Sequence, residues 1–96
     1  MLPMVVGVLQ VDLTIPGADS LKAKRMVLRS LKDRIRRGFN VSVAEVEDND
    51  QWQSAGLAVA VVSNDRRFAN QVLSKVVDFI GESRDLVVDD YRLGFL

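Results

Sequence analysis

Leu21, Leu28, Leu31 and Ile35 fall on one face of a helix when the stretch Leu21 to Arg37 is wound at about 100° per residue, with Val27 at the margin. That face must be buried, and the segments on either side of it alternate like strands. From Met4 to Thr14, Val5, Gly7, Leu9, Val11 and Leu13 point one way, while Val6, Val8, Gln10, Asp12 and Thr14 point the other. Ile15 to Asp19 breaks this strand, because Pro16 cannot donate to a ladder, and Asp19 or Ser20 offers an N-cap oxygen. Gly38 closes the helix, where a left-handed residue is usual.

The remainder extends the same alternation of elements. Phe39 to Glu47 reads as a second strand, with Phe39, Val41, Val43 and Glu45 on one side. The acidic run Glu47-Asp48-Asn49-Asp50 turns the chain before Trp52 and Gln53, and Gly56 to Ser63 is apolar on both faces, as suits a central strand. Ser63-Asn64-Asp65 caps a second helix carrying Phe68, Val72, Val76, Phe79 and Ile80 at helical intervals, with Gly81 near its end. Leu86 to Phe95 is a last strand, placed at an edge by Asp89, Asp90 and Arg92. The order βαββαβ predicts a ferredoxin-like α+β sandwich: one four-stranded antiparallel sheet with two helices on one face, formed as a single domain over residues 1–96. Its other face, with Val6, Val8, Asn40, Ser42, Ala44, Ala58 and Ala60, is left uncovered.

Charge is placed unevenly along this frame. The chain has 13 Lys and Arg against 13 Asp and Glu, so only their distribution is informative. Lys22, Arg25, Arg29, Lys32 and Arg36 follow the spacing 3, 4, 3, 4 and so occupy an arc of about 80° beside the apolar face of the first helix. Lys24 points instead into the apolar arc, and Glu45 has the parity of the core face. The two are expected to meet as a partly buried ion pair at the rim of the sheet.

Several chemistries are short of parts. Without histidine or cysteine there is no Ser-His or Cys-His nucleophile pair, no disulfide and no common zinc ligand. Neither GxxxxGK[ST] nor GxGxxG occurs, and the carboxylates at 45, 47, 48 and 50 do not have the spacing of an EF-hand. The expectation is a non-enzyme with no cofactor and no metal. The N-terminal run has no basic leader region, and no apolar stretch approaches the roughly 20 residues that span a bilayer, so a cytoplasmic protein is expected.

SLKAKR at Ser20 to Arg25, FNVSVAEV at Phe39 to Val46, and the pair Trp52-Gln53 followed by an apolar strand ending near Val62-Ser63 resemble the YlxP-like bacterial domain family of unknown function, over nearly the whole chain. The resemblance implies a small ferredoxin-like domain whose genes often stand among those for transcription and translation factors.

Two functional expectations follow. One is an RNA- or ribosome-associated binding module that meets phosphates with Lys22, Arg25, Arg29, Lys32 and Arg36, the ligand being RNA or a ribosomal subunit. Base readout is not expected, since the strands offer only Phe39, Tyr91 and Phe95, unpaired at the sheet's centre. A basic face of this kind is also commonly just solvated, its long stems covering the core edge. The alternative is a homodimer or partner-binding module that uses the open sheet, with Trp52 as rim lid or interface anchor. Regulatory small-molecule binding rests on analogy of fold alone.

Overall fold

The computed structural model of the protein describes residues 3–47 and 50–96. Six elements follow in the expected order: β1 (Val5–Thr14), α1 (Leu21–Gly38), β2 (Ser42–Glu45), β3 (Ser54–Ser63), α2 (Arg66–Gly81) and β4 (Val87–Phe95). The strands pair antiparallel in the order β2-β3-β1-β4, with Leu9 opposite both Val59 and Leu93, and Val43 opposite Val59. This is the ferredoxin-like sandwich. Leu9, Val11, Leu13, Val43, Leu57 and Val59 close on Leu28, Leu31 and Ile35 of α1 and on Ala69, Leu73, Val76 and Ile80 of α2 in one core.

Both helices begin on side-chain caps. Ser20, of the two candidates, caps α1, its Oγ accepting from the Ala23 N–H at 3.0 Å. Asp65 accepts from the N–H groups of Arg67 at 2.9 Å and Phe68 at 3.4 Å. Such caps satisfy donors that the first turn cannot, at about 1 kcal/mol each. Helix α1 ends without a left-handed residue, for no glycine has positive φ. Extended Phe39 closes it, donating its N–H to the Ile35 carbonyl at 2.9 Å.

That closure shortens the second strand. The expected span Phe39 to Glu47 becomes Ser42–Glu45, because Phe39 packs edge-on against Phe79 with ring centroids 5.7 Å apart, and the Val41 N–H turns back to the Phe39 carbonyl. Helix α2 also differs in detail. Its buried stripe is Ala69, Leu73, Val76 and Ile80, whereas Phe68 is more than half exposed. The smaller Ala69 lets the helix settle on β1, where a Cβ built on Gly7 would come within 2.9 Å of Leu73 Cδ1 and 3.2 Å of Val61 Cγ1.

The hairpin between β2 and β3 is tied to the entry of α1. The Ile15 N–H donates to the Gln53 carbonyl at 2.8 Å, and Gln53 Nε2 donates to the carbonyls of Pro16 and Ala18. Trp52 stands half exposed beside these bonds. The Asp48 and Asn49 of the acidic turn lie outside the described residues, as do Met1 and Leu2.

The close approach at Gly7 gives a stability test. Gly7→Ala is expected to lower unfolding free energy by about 1–3 kcal/mol, the usual cost of overpacking. Combined with Leu73→Val it should cost less than the two single changes together, because the second change removes the clashing methyl. Urea melts of the four proteins measure this.

Candidate nucleic-acid interface

Burial of Leu28, Leu31 and Ile35 turns the basic side of α1 toward solvent, but the five cations are not equivalent. Lys32 Nζ lies 3.0 Å from Glu45 Oε1, with the side chains 22% and 34% exposed. The Arg36 guanidinium is also engaged, donating to the Val43 carbonyl at 3.0 Å and facing Asp33 at 3.6 Å. It thereby satisfies a carbonyl of edge strand β2 that no further strand covers. Lys22, Arg25 and Arg29 are exposed and make no hydrogen bond or ion pair among the described residues. Arg25, Arg29, Lys32 and Glu45 line one shallow cleft between α1 and β2.

The expected pair of Lys24 and Glu45 does not form. Glu45 meets Lys32, and Lys24, buried at 5% exposure, donates from Nζ to the Gln51 carbonyl at 2.9 Å. The reason is register. Helix α1 runs opposite to β2, so that Arg36 lies level with Val43 and Lys32 with Glu45. Four helical residues rise about 6 Å, close to the ~6.6 Å of two strand residues. Eight residues before Lys32, Lys24 has passed the end of β2 and reaches the hairpin. The inward direction of Lys24 was correctly expected, and its partner was not.

On the far side of the sheet lies a charge cluster that the strand pattern did not announce. Thr14 Oγ1 donates to Asp89 Oδ2 at 2.6 Å, and Arg92 faces Asp12 at 3.4 Å and Asp90 at 3.5 Å. Gln10 Nε2 donates to Glu47 Oε1 at 3.2 Å, and the Glu47 side chain crosses Gly56, whose missing Cβ leaves it room. Four carboxylates and one guanidinium thus share half of the open face, with Asp12 and Asp90 paired to Arg92. The slip in register between Asp12 and Leu13, which brings Asp89 to Thr14, could not be read from alternation. The neighbouring Gln10, Asp12 and Thr14, all of one parity on β1, were the available sign.

The family model described as "Protein of unknown function (DUF503)" matches residues 6–93. The chain belongs to the DUF503 family. Within it, the Bacillus subtilis (strain 168) protein named "Uncharacterized protein YlxP" is 36% identical over 75 residues, covering 78% of this chain and 82% of that one. Among solved structures, the de novo designed protein LFR1 1, with ferredoxin fold, matches at TM-score 0.54 and 14% identity over 95% of this chain and 82% of that chain. The de novo designed protein Foldit4 matches at 0.52 and 14%, over 95% and 96%. These likenesses fix the fold of the DUF503 chain and leave its activity to its surface. Among the described residues no helix is long and apolar enough to cross a membrane, and no cluster of acids could hold a metal ion.

The contacts of Lys32 and Lys24 should differ in stability measurements. Glu45→Gln, which breaks a part-exposed pair, is expected to cost under about 1 kcal/mol. Lys24→Ala, which removes a packed stem and leaves the Gln51 carbonyl without that donor, should cost about 2 kcal/mol. The difference is read from chemical denaturation midpoints at one pH.

Proposed function

We propose that the domain is a non-catalytic RNA-binding module that docks on phosphates through the outer side of α1, with ribosomal RNA as the first candidate ligand. The observation that carries this reading is the row Lys22, Arg25 and Arg29, three exposed cations without a partner among the described residues, of which Arg25 and Arg29 line a cleft with Lys32. Arginine forks grip phosphate oxygens bidentately, and each contact releases counterions without regard to base sequence. Glu45 holds its carboxylate against Lys32, where a phosphate would otherwise sit, and so tempers the site.

Self-association through the open sheet is supported by Val62, 67% exposed, and by Val6, Val8, Ala58 and Ala60 around it. The area is small for that purpose. Three residue rows on four strands span roughly 20 by 20 Å, or about 800 Å² counted over two partners, below the ~1,200 Å² of stable complexes. A larger overlap sets the carboxylates on one another or on valines, both unfavourable.

Co-sedimentation with small ribosomal subunits tests the leading reading. With two or three phosphate contacts, affinity should fall about 10- to 40-fold between 50 and 200 mM salt. Arg25→Glu/Arg29→Glu should abolish binding, and Glu45→Gln should strengthen it several-fold and steepen the salt dependence by about one contact. Salt-insensitive binding, or binding retained by the double variant, would remove α1 from the interface.

A further inference from the structure

We infer that the ligand of this site is a base-paired segment of RNA and not a single strand; the inference rests on the phosphate-binding reading above. Single strands are held by grooves that track the backbone and by rings on which the bases stack. The open sheet face carries no such ring. Of its six aromatic residues, Phe39 and Phe79 pack on each other, Phe95 lies under the Arg66 guanidinium, and Tyr91 sits opposite Val11, on the helix side of the sheet. Tyr91, Phe68 on α2 and Trp52 in the hairpin are each about half exposed, but they stand on three separate elements, and no two of them pack together among the described residues. No strand places an aromatic side chain on the open face, where RNA-recognition sheets keep theirs.

That face also repels a polyanion. Among the described residues, Asp12, Asp89, Asp90 and Glu47 stand there against Arg92. A strand leaving the basic helix for the sheet would trade attraction for repulsion at every phosphate. The ligand is therefore confined to α1, where Lys22 and Arg29 are separated by about 10.5 Å of helix rise. Because the major groove of paired RNA is deep and narrow, the helix lies on the backbone and does not enter it. A convex row of three cations suits phosphates already fixed in space, as a duplex provides, since a flexible strand would have to be ordered on binding. Recognition is by the paired backbone, without base preference.

The test uses the whole protein and two fluorescent RNAs of equal phosphate number: a hairpin with a 20-base-pair stem, and an unstructured CA-repeat strand. Anisotropy titrations at 50 mM salt should show the hairpin bound about tenfold more tightly, with stems of different sequence equal within about twofold. Asp12→Asn/Asp90→Asn should leave hairpin affinity within about twofold, because the sheet takes no part. Equal or tighter binding of the CA strand overturns the inference while leaving phosphate binding by α1 intact. A large gain in hairpin affinity in the sheet variant overturns it also. Absence of binding to either RNA, with Arg25→Glu/Arg29→Glu indistinguishable from the native protein, removes the RNA reading itself and this inference with it.

Discussion

Leu28, Leu31 and Ile35, with no measurable exposure, fix the rotation of α1 about its own axis, and the rest of the surface depends on that rotation. With these three on the sheet, a cation at spacing 3 and 4 from Lys22 has no choice but to stand along one flank. Turning the helix by one residue would swing the stripe through about 100° and expose at least one leucine, at a cost of about 2 kcal/mol. The hydrophobic term thereby sets the electrostatic one. The outcome is a flank graded from Arg36 and Lys32, drawn down to β2, to Arg25 and Lys22, which extend into solvent.

A second constraint is the hairpin. Ser20 starts the helix, Lys24 reaches from its first turns to the Gln51 carbonyl, and Gln53 bonds back to the loop before the cap. The short motifs SLKAKR and WQ, distant in sequence, are therefore two halves of one joint. This joint holds the N-terminal turns of α1, and with them Lys22 and Arg25, in place. A buried lysine donating to a main-chain carbonyl suits that work, because a directed bond fixes position where an exposed ion pair would give a looser constraint.

The architecture was legible because it follows from alternation and from two amphipathic helices, and β1, β2 and β3 could be assigned their faces from parity alone. The site was legible only in part. Angles around a helix show which way Lys24 points but not which strand residue lies level with it, and that offset is set by the turn at Phe39 to Val41, where ring packing and a main-chain bond consume three residues. The acidic sheet was hidden for a related reason. Glu47 comes to it by folding over Gly56 and Asp89 through a slipped register, and neither event leaves a periodic trace.

Equal numbers of acids and bases conceal a strongly polar molecule, basic along one helix and acidic over half of the opposite sheet face. Each layer has a reason of its own kind. The helix cations occupy the solvent side of α1, whereas the sheet carboxylates occupy the face that the two helices leave open. Near a polyanion such a molecule is turned before it touches, since the basic layer is drawn in while the acidic layer is pushed away. If a polyanion is the ligand, as proposed, contact then begins on α1. On the phosphate-binding reading the bare sheet face is then kept out of reach by its own carboxylates, and the orientation of encounter is decided by charge before any specific bond is made.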